Sequence, residues 1–223
     1  MPNSSNEYLN IVETLASIFT INKGELKILL MRKQSEPYKN YWILPGDILP
    51  KHQTTEENLQ KAIYGKMGLP EIEMEQCQIY SNLDRDPDDR IIALSYIGLV
   101  DSTLVELKRE PRPEYITEWF SIDSLPKMAY DHEEIIQGSI EYLRKKLLNS
   151  TVLKSFFPSD FTLPELQRLY EQILGKTLDR RNFRKKFISL GLIEDTGYKN
   201  EGTAGRPAKL YRFKDKIEEV NLF

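Results

Sequence analysis

The sequence predicts an α+β chain in two units: a layered strand-and-helix sandwich over residues 1–150 and a small, mostly helical module over 151–223. Three observations predict it. Up to about Leu148, apolar runs of strand character alternate with segments of helical spacing. Beyond that point the pattern changes to two short helices with clear start and stop signals and then two short strands. The charge also changes sign. Residues 1–150 carry 17 Lys+Arg against 24 Asp+Glu and residues 151–223 carry 14 against 10, so the net −3 of the chain divides into −7 and +4.

Composition narrows the class. With 29% charged and 40% hydrophobic residues, the 223-residue chain has ordinary globular usage, enough for a core and unlike a disordered or repetitive sequence. One cysteine, Cys77, closes no intrachain disulfide, and a lone thiol with two histidines makes no zinc framework. Residues 1–10 show neither a basic start nor an apolar run, and stretches such as Ile28 to Met31 are far shorter than the roughly 20 residues of a membrane span. A cytoplasmic protein without membrane contact is expected.

In chain order, Leu15 to Ile21 and Leu26 to Met31 flank Asn22-Lys23-Gly24-Glu25, which reads as a β-hairpin. Tyr41 to Leu44 reads as a strand running into Pro45-Gly46 and a polar loop. Glu56 to Met67 then places Leu59, Ala62, Ile63 and Met67 at helical spacing, and Gly68 and Pro70 stop the helix. Strands follow at Cys77 to Ser81, Ile91 to Val100 and Thr117 to Ser121, and a helix from about Glu133 to Leu148. The boundary falls in Asn149 to Asp160, where the charge changes and Phe157-Pro158-Ser159-Asp160 reads as a connector.

In the second unit, Thr162-Leu163-Pro164-Glu165 fits a capping box for a helix to Leu174, with Leu166, Leu169, Tyr170 and Ile173 on one stripe and Gly175 as its stop. Asp179 caps a further helix ending near Gly191, with Leu178 and Phe183 placed as a staple. Phe183, Phe187 and Leu190 fall on its inner side, leaving Arg180, Arg181, Asn182, Arg184, Lys185 and Lys186 outside. Leu192 to Glu194 and Leu210 to Phe213 then read as paired strands around a long Gly-rich excursion, Thr196 to Lys209. Two helices followed by a hairpin is the winged helix-turn-helix order. From Lys176 to Lys214 there are 11 basic residues against 4 acidic ones. A helix carrying such a face fits a duplex major groove, its cations neutralising phosphates. Arg206, within Gly205-Arg206-Pro207, is a candidate minor-groove probe, and Lys209 a further DNA contact. A basic surface that is merely solvated, or a module serving only protein contacts, is the competing reading.

Trp42-Ile43-Leu44-Pro45-Gly46, the segment Thr54 to Leu69, Asp84-Arg85-Asp86-Pro87 to Arg90, Trp119-Phe120 and Asp131-His132 together resemble the Nudix hydrolase domain. With the C-terminal module, nearly the whole chain resembles the Nudix-related transcriptional regulators of the NrtR and AraR type. That resemblance implies an α/β/α sandwich carrying a winged helix, a homodimer on a palindromic operator in double-stranded DNA, and a small-molecule effector.

Nudix enzymes carry G-x5-E-x7-R-E-U-x-E-E-x-G-U, whose glutamates hold a hard divalent ion beside a diphosphate. Anchored on Gly68-Leu69, the motif places Asp47 at its first glycine, Gln53 at its first glutamate, Lys61 and Ala62 at Arg-Glu, and Gly65 and Lys66 at Glu-Glu. Every glutamate position is vacant, and Lys66 puts a cation where the enzymes hold metal. No catalytic residue, metal site or cofactor is therefore expected. Hydrolysis of ADP-ribose or a related nucleoside diphosphate compound stays as the alternative, since carboxylates outside the motif exist.

A sandwich without its chemistry still binds a small molecule. Beside the motif helix the resemblance points to Trp42, Arg90, Asp131 and His132 as effector contacts, the tryptophan by stacking and the others by hydrogen bonds. Trp42 equally fits a core position, Arg90 a pair with Asp86 or Asp88, and His132 a helix cap. Family members respond to NAD-related metabolites such as ADP-ribose or to pentoses. The vacant metal site favours a sugar or sugar derivative.

Overall fold

The structure is a computed structural model, which describes residues 10–22, 25–101, 110, 112–149, 160–200 and 207–214. A mixed sheet of seven strands dominates the first unit. Its strands are β1 (Ile11–Asn22), β2 (Glu25–Arg32), β3 (Trp42–Ile43), β4 (Gly46–Ile48), β5 (Met74–Tyr80), β6 (Ile91–Leu99) and β7 (Thr117–Ser121). The order is β3-β2-β1-β6-β5, with β4 on β1 and β7 on β2. The expected hairpin is present, with Phe19 opposite Ile28 and Asn22 opposite Glu25. Among the described strands β1 and β6 pair in parallel, from Ile11 opposite Ile91 to Phe19 opposite Leu99. β4 was expected as loop; its pairing of Leu15 with Gly46 is non-local and leaves no mark in so short a segment.

Both faces of β1 are covered, as its period-two pattern requires. Ala16 and Ile18 pack with Leu59, Ile63 and Met67 of α1 (Thr55–Met67). Leu15 and Phe19 face the other way, toward Ile135, Ile136, Ile140 and Leu143 of α2 (His132–Asn149). Two polar rivets fix these layers: Asn58 Nδ2 donates to Thr14 Oγ1 at 2.9 Å, and the Ser17 and Ser139 hydroxyls share a bond of 2.8 Å. Thr54 and Glu57 close a capping box on α1. Gly68 ends it at φ 67°, where a Cβ would lie 1.8 Å from the Glu110 carbonyl oxygen, so only glycine fits.

The second unit has α3 (Leu163–Leu174), α4 (Arg180–Ser189) and a three-stranded sheet of β8 (Phe161–Thr162), β10 (Lys209–Phe213) and β9 (Ile193–Lys199), in that order. Thr162 and Glu165 make the reciprocal capping box, with Thr162 N donating to Glu165 Oε2 at 2.7 Å. Leu166, Leu169, Tyr170 and Ile173 are buried as expected. One apolar cluster runs from the α2 side of the sheet through this module, joining Leu143 and Leu147 to Leu166 and Phe187. Arg144 of α2 donates from Nε to the Ile173 carbonyl of α3 at 2.6 Å. Most of the expected connector, residues 150–159, lies outside the described residues. No helix among the described residues is long and apolar enough to cross a membrane.

Candidate DNA interface and effector cleft

α4 is built from its N-cap outward. Asp179 Oδ1 accepts from Asn182 N at 2.8 Å, and the negative cap suits the positive end of the helix. Phe183 and Phe187 lock the inner side, their rings 4.5 Å apart and each edge-on to Tyr170. Arg180, Arg181, Asn182, Arg184 and Lys185 are exposed, and Lys186 is half-buried. Arg180, Arg181, Arg184 and Lys185 make no hydrogen bond or ion pair with a described residue. Arg181, Arg184, Lys185, Ile188 and Ser189 line a shallow depression on the outer face.

One expectation needs correction here. Leu190 is not a core residue but 37% exposed: α4 stops at Ser189, Leu190 is its C-cap, and Leu192 and Ile193 close the core instead. Lys209 pairs across the hairpin with Asp195, its ammonium 2.6 Å from the carboxylate. The hairpin is longer than expected on its first strand, which carries the exposed Tyr198. Gly205 and Arg206 lie outside the described residues.

In the first unit, the four candidate effector residues divide. Trp42 is half-buried, edge-on to Phe120 at 4.5 Å, its backbone tied to the 127–129 segment by Trp42 N to Lys127 O and Ala129 N to Trp42 O. Arg90 is partly exposed and donates to the Asn82 carbonyl at 3.1 Å, pairing with neither Asp86 nor Asp88. Asp131 and His132 are both engaged within the fold. Both oxygens of Asp131 are taken by Arg85, through Nε at 2.9 Å and Nη2 at 2.8 Å. His132 is buried, and its Nδ1 accepts from Leu44 N at 2.9 Å, which places its proton on Nε2. Burial, and then the charge of Arg85, push its pKa down to about 3, so it stays neutral.

Arg85 was missed. Its side chain is 2% exposed and clamps β1 to the start of α2, donating also to Glu13 at 2.6 Å. Burial raises the Glu13 carboxyl above its ordinary range, although Arg85 opposes this. An arginine flanked by aspartates is the only local hint, because its partners lie far away in sequence. Beside the clamp is an aromatic group that also escaped notice. Tyr38 packs on Tyr130 at 4.9 Å and on Tyr41 at 5.7 Å, while Lys127 lies 4.4 Å from the Tyr41 ring. Tyr38, Asn40 and Tyr130 have φ of 65°, 72° and 55°. Such backbone is costly for residues with a Cβ and gathers where a ligand is held.

On the α1 side, Lys66 Nζ donates to the Gly46 carbonyl at 2.6 Å and pairs with Asp47 at 2.9 Å. Glu57 is used in the helix cap and Glu56 accepts from Tyr96. Among the described residues no group of three or more His, Cys, Asp or Glu is placed to hold a metal ion. The donors present do not fit a divalent ion, because an ammonium occupies the oxygens it would take.

A two-faced sheet sandwich joined to a winged helix with an outward cationic face defines a DNA-binding transcriptional regulator. Residues 153–213 match the family described as the NrtR DNA-binding winged helix domain. The chain is similar to the ADPR responsive transcriptional repressor NtrR of Acinetobacter baylyi, 31% identical over 92% of this chain and 83% of that one. It is also similar to an ADP-ribose pyrophosphatase of Methanocaldococcus jannaschii, 34% identical over 54% of this chain and 68% of the other. Shewanella oneidensis NrtR, solved with a 27mer DNA, superposes with a TM-score of 0.77 at 28% identity, over 91% of this chain and 93% of that one. The NUDIX domain of that protein, solved with ADP ribose, gives 0.54 at 19% identity over 63% and 93%. The chain belongs to the NrtR family of Nudix-related transcriptional regulators.

Proposed function

We propose that the protein is a repressor whose first unit, residues 1–150, binds ADP-ribose and whose second, residues 151–223, grips operator DNA through α4. The observation that carries the DNA half is the division of α4 into buried Phe183 and Phe187 and exposed cations that make no hydrogen bond or ion pair with a described residue. Arg181, Arg184 and Lys185 are the base and phosphate contacts, with Arg180, Asn182 and Lys186 along the backbone and Arg206 in the adjacent minor groove. A twofold homodimer would read a palindromic site, one half per protomer.

The effector reading moves from a sugar to ADP-ribose. The sugar preference assumed that a diphosphate needs a metal, whereas cationic side chains and amide donors hold phosphates without one. The names of the Acinetobacter and Methanocaldococcus relatives both carry ADP-ribose. Trp42 and the Tyr38–Tyr41–Tyr130 group supply ring faces for a base, and Arg90 a donor at the rim of the same end of the sheet. Hydrolysis is not part of this reading, since Lys66 holds the place of a metal-binding glutamate.

Fluorescence anisotropy of the purified chain on labelled DNA from its own upstream region tests the proposal. Nanomolar-range binding that falls steeply with salt and shifts on adding ADP-ribose is expected. Absence of duplex affinity at low salt, or magnesium-dependent turnover of ADP-ribose that EDTA abolishes, would reverse it.

A further inference from the structure

The Lys66 ammonium has three N–H donors. Two meet the Gly46 carbonyl at 2.6 Å and the Asp47 carboxylate at 2.9 Å, which leaves one donor on a side chain that is 23% exposed. A backbone carbonyl and a carboxylate converging on one point are the oxygen donors that a hard divalent cation takes. The carbonyl is not free to drift: a Cβ on Gly46 would lie 2.0 Å from the Thr14 carbonyl oxygen, so β4 is pressed against β1 at this residue. Lys66 also stands at the last glutamate of the vacated motif. A positive charge has replaced a negative one at the position where the lost ligand would have met the metal.

We propose that the Lys66 ammonium is a built-in substitute for the divalent ion. It ties β4 to the last turn of α1 and offers its remaining N–H to the diphosphate of the effector, so ADP-ribose binds without metal. This rests on the ADP-ribose reading above. A tethered charge needs no ion from solution, and it polarises no water into a nucleophile as a bound metal does. Ligand recognition is thereby kept while hydrolysis is lost.

Calorimetric titration of ADP-ribose into the full chain, in excess EDTA and in excess magnesium chloride, tests the substitution. The two affinities are expected to agree. Lys66→Met should weaken binding by roughly tenfold to a hundredfold, the range for a charge-assisted hydrogen bond, and Lys66→Arg by less. Thermal unfolding of the methionine variant separates loss of the site from loss of the fold. Affinity that disappears in EDTA, or a folded Lys66→Met that binds as tightly as the wild type, overturns the proposal. If the wild type ignores ADP-ribose in both buffers, it is the effector reading that fails. Manganese then decides the substitution by electron paramagnetic resonance: an unchanged signal of free Mn²⁺ supports it, and uptake that Asp47→Asn abolishes refutes it.

Discussion

Arg85 and Arg184 carry the same charge and are put to opposite uses. Arg85 is 2% exposed and fully engaged by Glu13 and Asp131, while Arg184 stands on the exposed face of α4 with no hydrogen bond or ion pair to a described residue. In the first unit Lys66 is held by the Gly46 carbonyl and Asp47. In the second, Arg180, Arg181, Arg184 and Lys185 of α4 are exposed and make no hydrogen bond or ion pair with a described residue. A buried guanidinium must be paired and therefore fixes geometry; an exposed, unpaired one is free to meet a polyanion. Burial, more than residue type, separates the Arg85 clamp from the cations proposed to meet DNA.

The comparison breaks most sharply at Arg85. Arg85→Met leaves Glu13 and Asp131 without their counter-charge, which should cost about 3–5 kcal/mol in a denaturant titration at neutral pH. The loss should shrink in acid. Burial already raises the Glu13 carboxyl, so in the folded state it takes up a proton more readily than in the unfolded one. The cost of ionised Glu13 is present above its raised folded pKa and fades as pH falls through it. A variant as stable as the wild type at neutral pH would show that the clamp holds nothing together.

Arg184→Ala should do the reverse, leaving stability within about 0.5 kcal/mol. Operator affinity should fall by roughly tenfold to a hundredfold, with the salt slope reduced by about one if the contact is to phosphate. Unchanged affinity together with an unchanged slope would remove Arg184 from the contact surface and with it the contrast between the two units.

What the sequence disclosed follows the same division between local and distant causes. Caps are local, so Thr162 with Glu165, Asp179, Gly68 and Gly175 could be read directly, and with them nearly every helix boundary. The outward row of α4 follows from helical spacing alone. Strands β4 and β8 were invisible because two or three residues carry no period, and their pairing is decided by β1 and β10. The Arg85 clamp spans 46 and 72 residues, a separation that no window reaches. The resemblance marks Asp131 and His132 as candidate ligand contacts, but their internal partners, Arg85 and the Leu44 amide, lie 46 and 88 residues away. Lys66 was legible as a displaced cation, although its two oxygen partners were not.

His132 gives a smaller and pH-dependent effect. Its folded pKa of about 3 lies below its ordinary 6.5, so its contribution is complete above pH 6.5 and is lost as pH falls from there toward 3. His132→Phe should flatten stability across that window, at a neutral-pH cost of about 1–3 kcal/mol for the Leu44 N–H left unsatisfied. Because the Arg85 charge helps to keep the imidazole neutral, Arg85→Met should raise the folded pKa of His132 and shorten its acid limb from the low-pH end. An acid limb identical in His132→Phe and the wild type would place the titrating group elsewhere.

The smallest expected effect lies where the two units meet. α2 begins beside the Arg85 clamp and spans about 27 Å at 1.5 Å per residue. Near its far end Arg144 is ion-paired with Glu141 and donates to the Ile173 carbonyl, an acceptor in the last turn of α3. Helix ends leave such carbonyls unpaired, so this bond fastens the winged-helix module to the helix that starts beside the Arg85 clamp. Arg144→Met keeps the apolar stem and removes the bond, for about 1 kcal/mol of stability. Affinity for ADP-ribose alone and for DNA alone should stay within about twofold, since neither surface includes Arg144. The ratio of operator affinities with and without ADP-ribose should move toward one by up to about fivefold, which is about 1 kcal/mol of coupling. A ratio equal to that of the wild type would mean that the two units communicate through the continuous apolar cluster between α2 and α3, with the polar fastening serving stability only.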